Sequence, residues 1–176
     1  MRCILKQIYA HRPDLQISAD FSREEKPLFR YRLEASKVGA CSNPRTVCAV
    51  MQNPSYACVE IADRSVQILE RVVFERAMAE YKGIERLIVV NQFAFIQTKD
   101  FVGTNDQIGE RNDQAINRAV DESEIVLIAW GKANRFLERQ KRILEMVSNK
   151  TGGTLFRTSR HPSRAIYDGF VQPFAN

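Results

Sequence analysis

Three polar side chains follow short apolar runs, at positions where they could bind or react with a ligand: Asn53, Asn91 and His161. An amide donates and accepts hydrogen bonds at once, and an imidazole can donate to a developing negative charge. The sequence has no glycine-rich phosphate loop, no H-E-x-x-H zinc pattern and no nucleophile elbow. The expected chemistry is therefore hydrogen-bond recognition and stabilisation of an anion, with no cofactor. Asparagines also cap turns, which is the structural alternative for Asn53 and Asn91.

No paired general acid and base stands out in the sequence. Asp63, Asp100 and Asp113 are expected near the same part of the fold, but each also suits a helix cap or a solvated loop. Trp130-Gly131 is most simply a packing residue followed by the entry to a helix. The carboxylates therefore carry no assigned role at this point.

The elements that must position these side chains are four apolar runs, each ending in a polar or aromatic turn. Residues 47–51 lead to Asn53-Pro54, residues 87–90 to Asn91, residues 125–129 to Trp130-Gly131 and residues 154–156 to His161. Apolar runs bounded by turn formers predict buried strands. In open α/β sheets, ligands bind at the carboxyl ends of such strands, so the sequence predicts a site there.

Helical patterns alternate with these strands. They cover residues 63–81, 113–122 and 132–149, and the alternation predicts a parallel sheet. Two runs of period two, at residues 15–21 and 28–33, predict an N-terminal hairpin. The expected fold is a three-layer α/β/α domain with a central, mainly parallel four-stranded sheet and this hairpin. One domain spans residues 1–176, with the hairpin extension at 1–45, the core at 46–165 and a tail wrapping the surface at 166–176. The long connection at 92–111 is expected to be functional or irregular.

Composition narrows the classes of partner. The 176-residue chain carries a net charge of +5, which favours anionic partners such as a nucleic acid. No apolar run approaches the ~20 residues of a membrane-spanning helix, and the first residues are too short a run for a signal peptide. We therefore expect a cytoplasmic protein with no membrane partner. The four cysteines include no C-x-x-C pair, which favours reduced thiols over an iron–sulfur or zinc site.

Two resemblances follow from these motifs. The chain resembles, over nearly its whole length, a family of uncharacterised bacterial and phage domains. The stretches that carry this resemblance are Tyr31-Arg32-Leu33, residues 51–57, Asp63-Arg64-Ser65, residues 90–94, Asn112-Asp113, residues 129–131 and His161-Pro162. The second, remote resemblance is to the uracil-DNA glycosylase superfamily. Its strand-end motifs G-Q-D-P-Y or G-I-N-P-G, a terminal Asn, W-G and H-P-S match residues 51–55, 89–91, 129–131 and 161–163 in the same order.

The remote resemblance implies hydrolysis of the N-glycosidic bond of a damaged or modified base that is flipped out of DNA. It assigns the attacking water to Asn53, recognition of the base edge to Asn91 and donation to the leaving base to His161. The base pocket then includes Pro54, Ser55, Phe93 and Trp130, and the phosphate contacts fall to Arg160, Ser163 and Arg164. Asn53 replaces the catalytic Asp of the most active branch, and Arg164 replaces the second Pro of H-P-S-P.

Ser55 takes the place of a tyrosine that excludes 5-substituted pyrimidines in the uracil-specific branch. The resemblance therefore implies a pocket open to enlarged bases. Two other functions fit the same residues. One is an N-glycosidase that acts on free nucleotides or nucleosides, and the other is a non-catalytic module that binds nucleic acid or a partner protein.

Overall fold

The computed structural model describes residues 9–26, 28–76, 78–132, 135–149 and 154–174. These residues form a mixed α/β fold with one seven-stranded sheet and three α-helices. The strands are β1 (Leu15–Phe21), β2 (Arg30–Lys37), β3 (Thr46–Met51), β4 (Arg86–Asn91), β5 (Ile125–Ile128), β6 (Thr154–Thr158) and β7 (Val171–Pro173). The helices are α1 (Arg64–Glu70), α2 (Asn112–Asp121) and α3 (Leu137–Ser148).

The sheet has the strand order β1-β2-β4-β3-β5-β6-β7. Its centre, β4-β3-β5-β6, is parallel throughout, and these are the four strands that the apolar runs predicted. The hairpin β1-β2 pairs antiparallel with β4, as an extension of one edge. The mixed α/β class and the N-terminal hairpin are therefore confirmed.

The C-terminal tail is more than a surface wrap. Residues Val171–Pro173 form β7, which pairs antiparallel with β6 and closes the other edge of the sheet. The prediction missed it because three residues give no readable alternation. A proline is tolerated there since an edge strand need not use every backbone N–H for pairing.

Alternate residues of the central strands face two separate apolar clusters. Val47, Ala49 and Met51 belong to the cluster that contains α1 residues, whereas Cys48 and Val50 belong to the one that contains residues of α2 and α3. Both clusters are fully enclosed, and every residue of β3 is buried. A strand buried on both faces reads as a continuous apolar run, as residues 47–51 do. Among the helices in the described ranges, none has the length and apolar character needed to cross a membrane.

The helix predicted over residues 63–81 is shorter and less regular than its pattern indicated. Asp63 is the N-cap, as expected, and accepts a hydrogen bond from the Val66 backbone N–H at 2.9 Å. Beyond Glu70 the chain widens into a π-helical turn, Arg71–Glu75, and later forms a 3₁₀ turn, Ala79–Tyr81.

Helix α3 begins at Leu137 instead of residue 132. The apolar side chain of Leu137 is 57% exposed, while Phe136 packs edge-on against Phe93 and Phe101. Phe136 is the N-cap residue, with a non-helical backbone conformation. Further along the helix, Ile143 and Val147 are buried. Pro27 and Gly152-Gly153, whose residue types interrupt regular secondary structure, lie outside the described residues.

Candidate functional site

The strand order creates a crevice between β3 and β5. The chain leaves β3 towards β4 on one side and leaves β5 towards β6 on the other, so the two loops diverge at their carboxyl ends. Such a switch point is where ligands bind in open α/β sheets. A cavity of about 610 Å³ lies there, lined by Met51, Gln52, Asn53, Ser55, Tyr56, Asp63, Arg64, Ser65, Gln97, Thr98, Trp130, Arg135, His161, Ser163 and Arg164.

Six of the ten residues singled out in the sequence line this cavity: Asn53, Ser55, Trp130, His161, Ser163 and Arg164. The other four lie elsewhere. Pro54 and Asn91 are buried and do not line this cavity, Phe93 lines a second cavity, and Arg160 is exposed outside both linings. The turns after β3, β5 and β6 are thus brought together, whereas the end of β4 contributes no side chain to this lining.

Asn53 is held in one orientation by its own hydrogen bonds. Its Nδ2 donates to the backbone carbonyl of Gln97 at 2.7 Å and to that of Pro54 at 3.2 Å. Both amide protons are therefore used by the protein. The Oδ1 atom, which accepts from Gln52 Nε2 at 3.3 Å, retains a second lone pair. To a ligand, Asn53 presents an acceptor and not a donor.

The hydroxyls of Ser55 and Thr98 are 3.0 Å apart and join the turn after β3 to the long connection that begins at residue 92. Both residues line the cavity, and neither is large. Tyr56, also in the lining, is 43% exposed. The wall at Ser55 therefore consists of small hydroxyl side chains, with an aromatic ring at its outer margin.

The contacts of His161, which lines the cavity, define which of its ring nitrogens carries the proton. Its Nδ1 accepts from the Ser163 backbone N–H at 3.3 Å and lies 2.9 Å from the Ser163 hydroxyl. An Nδ1 that accepts must carry its proton on Nε2 in the neutral ring. Burial lowers the pKa of His161, and the charge of Arg164 lowers it further, although Asp63 opposes both effects. The ring is thus neutral at physiological pH and offers an Nε2–H donor.

Gly131 fixes the distance between the turns after β5 and β6. Its φ is +77°, which favours glycine, and a Cβ placed there would lie 2.7 Å from the backbone nitrogen of His161. The adjacent Trp130 is 7% exposed and packs into the core while lining the cavity. The Trp-Gly pair therefore supports the position of the histidine.

Asp63 lines the site, although its residue type and position assigned it no catalytic or binding role. It is 6% exposed and is the one carboxylate in the described lining, opposite three arginines, Arg64, Arg135 and Arg164. Its Oδ1 caps α1, and its Oδ2 has no hydrogen-bond partner among the described residues. The signal was its N-cap position: a helix that follows β3 must begin near the carboxyl edge of the sheet.

Asn91 binds a buried arginine. Its Oδ1 accepts from Arg30 Nη2 at 3.4 Å, and Arg30 Nη1 donates to the carbonyl of Ala57 at 2.9 Å. Arg30 is fully buried, and burial lowers its pKa to about 10. Asn91 is 1% exposed and is paired in register with Met51, a residue of the cavity lining. This contact anchors the loop that runs from Asn53 to Asp63, and gives Asn91 a positioning role.

The second cavity, of about 770 Å³, lies between the long connection and the start of α3. Its lining is Phe93, Gly103, Asn105, Ile108, Asp113, Arg135, Phe136, Leu137, Glu138, Arg139 and Arg142. Arg135 lines both cavities, which are therefore neighbours. Its Nη2 donates to the carbonyl of Phe101 at 2.9 Å.

Across the described part of the chain, no three or more His, Cys, Asp or Glu side chains are grouped so that they could hold a metal ion. Cys41 and Cys58 are free thiols, and Cys48 is buried in the middle of β3. Cys3 lies outside the described residues. The cavity residues that can act on a ligand are therefore amide, imidazole, carboxylate, hydroxyl and guanidinium groups.

A family model described as "Protein of unknown function (DUF1643)" matches residues 30–163. This range contains every motif that carries the resemblance to uncharacterised domains. No curated protein matches the chain, and no solved structure does.

Proposed function

The chain belongs to the family described as protein of unknown function (DUF1643), and we propose that it hydrolyses the N-glycosidic bond of a damaged or modified base flipped out of DNA. The observation that carries the proposal is the pairing of a neutral histidine and a buried carboxylate in one cavity at the sheet's carboxyl edge. Breaking a glycosidic bond separates charge, because the base leaves with the bonding electron pair and the sugar becomes cationic. One donor and one anion are what that separation requires.

His161 acts on the leaving base. Its Nε2–H donates to a base oxygen as negative charge accumulates there. A neutral imidazole suits this task, because it stabilises the anion without first having to bind a proton. The Ser163 contacts hold the tautomer, and Gly131 holds the backbone, so the donor is positioned before the substrate arrives.

Asp63 and Asn53 act on the sugar side. The Asp63 carboxylate stabilises the oxocarbenium-like cation, a role that an amide cannot fill. Asn53 Oδ1 accepts a hydrogen bond from a water molecule, whose oxygen forms the new bond to the anomeric carbon. One water proton stays on the new sugar hydroxyl, and the other passes to Asp63 and then to solvent, which leaves an abasic sugar and the free base. The electrons of the broken bond remain on the base until it is protonated.

Arg164, Arg64 and Ser163 form the cationic and polar margin of the cavity. They suit the phosphates on either side of the flipped nucleotide, and Arg160, exposed beside them, extends this margin. The resemblance to the uracil-DNA glycosylase superfamily supports the same assignment. With it we propose that superfamily's three-layer α/β/α arrangement, in which Asn91 supports the site from below through Arg30.

The cavity volume favours a second candidate, hydrolysis of free nucleosides or nucleotides. About 610 Å³ lies within the roughly 300–1,000 Å³ of pockets that enclose a whole small molecule. The same His161 and Asp63 would perform the chemistry. The two candidates differ only in whether the nucleotide belongs to a DNA strand or is a free nucleoside or nucleotide.

The experiment is base release from a panel of substrates. Oligonucleotides carrying uracil, 5-substituted pyrimidines, deaminated purines or alkylated bases are incubated with the protein, and abasic sites are detected as strand breaks after alkali. The corresponding nucleosides and monophosphates are assayed in parallel by chromatography. We expect release from at least one oligonucleotide, abolished in His161→Gln. Release from monomers alone establishes the second candidate, and no release from any substrate contradicts both.

A further inference from the structure

The second cavity has an anion-attracting end. Helix α3 spans twelve residues, and its first turn, at residues 137–139, lines the cavity. The first N–H groups of a helix have no intrahelical acceptor, and the aligned peptide dipoles place partial positive charge there. The N-cap residue, Phe136, provides no side-chain hydrogen bond to these groups. This helix end therefore remains available to an outside acceptor.

Arg139 adds an independent observation. It is 7% exposed, its Nε donates to the carbonyl of Gln92 at 2.7 Å, and its Nη1 lies 2.6 Å from Asp113 Oδ1. Its Nη2 is buried and has no hydrogen-bond partner among the described residues. A buried guanidinium with an unused donor is costly unless something accepts from it. Because Arg139 lines the cavity, a ligand there can supply the acceptor.

The charge of the cavity is positive on balance. Arg135, Arg139 and Arg142 line it, against Asp113 and Glu138. Asp113 is engaged by two of the arginines, since Arg142 Nε also donates to its Oδ2 at 2.8 Å. Burial alone raises the pKa of Asp113, but its contacts with Arg139 and Arg142 outweigh burial and keep the carboxyl ionised. The three arginines exceed the two carboxylates by one positive charge, and this charge and the N-terminal end of α3 can both attract an anionic ligand.

We propose that this second cavity binds a phosphate group, held by Arg139, Arg142 and the first turn of α3. The inference rests on the proposed function for the source of the phosphate: in a DNA strand it is the phosphodiester next to the nucleotide bound in the first cavity. Arg135, which lines both cavities, marks the path of the strand between them. A flanking sugar or base then lies against the aromatic wall of Phe93 and Phe136.

Backbone geometry makes that wall rigid. Gly103 has φ +83°, and a Cβ at this position would lie 2.2 Å from the Phe136 ring. The long connection therefore runs directly against the ring. The guanidinium of Arg135, a residue that lines both cavities, lies 5.3 Å from the centre of the same ring. The phosphate site and the base site thus share a preformed boundary.

The test measures equilibrium binding of DNA and is independent of base release. Oligonucleotides with a 2′-fluoro sugar at the target nucleotide, which resists cleavage, are titrated by fluorescence anisotropy. In a series, one phosphodiester at a time is replaced by a neutral methylphosphonate. We expect one linkage adjacent to the target to weaken binding to the wild type three- to tenfold. The same replacement should have no further effect on Arg142→Gln or Arg139→Gln.

Lys141→Gln is the matched control, because Lys141 is exposed on the same helix beside Arg142 but lies outside the cavity lining. Removing a phosphate contact should lower the slope of log affinity against log salt by about 0.7 in Arg142→Gln and leave it unchanged in Lys141→Gln. The proposed site would be refuted if every methylphosphonate replacement weakened binding equally. It would also be refuted if Arg142→Gln and Lys141→Gln changed the salt dependence equally, because both results indicate a general attraction to DNA. Arg142→Gln keeps the test valid if loss of the buried Arg139 impairs folding.

Inorganic phosphate separates this inference from the proposed function. In the wild type, phosphate should shift the NMR signals of Gly103 and Glu138, and in folded Arg139→Gln it should not. Phosphate binding at this cavity without release of any base would leave the site standing and refute the glycosidase. If base release occurs at the same rate with every methylphosphonate oligonucleotide, the proposed glycosidase activity stands and the proposed phosphate site is refuted.

Discussion

Replacing Asp63 by asparagine isolates the charge of the carboxylate from its structural role. Asparagine caps helices as well as aspartate does. Its side-chain oxygen can still accept the 2.9 Å hydrogen bond from Val66 that begins α1. The size and shape of the side chain are unchanged. The variant should therefore fold with wild-type stability, to within about 0.5 kcal/mol, while the site loses its only described carboxylate.

The lost charge has a calculable effect on the transition state. Asp63 is 6% exposed, so solvent screens its field weakly. For a carboxylate about 5 Å from the sugar cation and an effective dielectric constant of about 20, Coulomb's law gives roughly 3 kcal/mol. That energy corresponds to about a hundredfold in rate. The effect should fall on the chemical step, since the ground-state nucleotide has no charge at the anomeric carbon.

The assay is single-turnover base release, with thermal unfolding measured on the same samples. Asp63→Ala is the comparator, because it loses both the cap and the charge and should be destabilised by about 1 kcal/mol. A second readout is binding of two abasic-site analogues. An oligonucleotide with a cationic pyrrolidine should bind Asp63→Asn about a hundredfold less tightly than it binds the wild type, and one with a neutral tetrahydrofuran should bind both equally. Wild-type rates in Asp63→Asn, or equal losses for the two analogues, would refute the catalytic role.

Other perturbations test the remaining parts of the site and of the fold. Because burial lowers the pKa of His161 below its ordinary 6.5, base release should be constant from pH 8 to 6.5 and decline only at lower pH; a decline that begins above 6.5 would contradict the neutral ring. Gly131→Ala adds a Cβ 2.7 Å from a backbone nitrogen at φ +77° and should cost more than about 1 kcal/mol in unfolding free energy and slow base release. Ser55→Tyr should exclude 5-substituted pyrimidines selectively, which is measured by comparing the rates of base release from those bases and from uracil. Equal losses on both would show that Ser55 does not determine specificity. The ring of His11 lies 2.5 Å from buried Glu70; burial alone lowers the pKa of His11, but the carboxylate and the Cys58 carbonyl raise it above 6.5 on balance. The protonated pair therefore stabilises the fold fully below pH 6.5 and less as pH rises through the raised pKa, so thermal unfolding of the wild type and of His11→Gln should converge towards alkaline pH.

Much of this fold is encoded locally. Each central strand is an apolar run that ends at a turn former, and such a run has few alternatives to a strand buried on both faces. The N-cap at Asp63 also follows from local chemistry, since the side chain bonds a backbone N–H three residues away. These features depend on neighbours in the sequence, so the sequence alone determined that Asn53, Trp130 and His161 end strands at a common edge.

Which strand ends share a cavity was decided by the tertiary structure. Asn91 ends a strand as Asn53 does, but its side chain accepts from Arg30, a residue sixty-one positions away that the hairpin delivers to the neighbouring edge. Asp63, whose position in the sequence indicates only a helix cap, lines the same cavity as His161. Alternation along a strand indicates on which face of the sheet a side chain lies, but not which other residue packs against that side chain. The strand order decides which residues meet at the site. It places β5 across the crevice from β3, whereas β4, the next strand in the sequence, pairs with the other edge of β3.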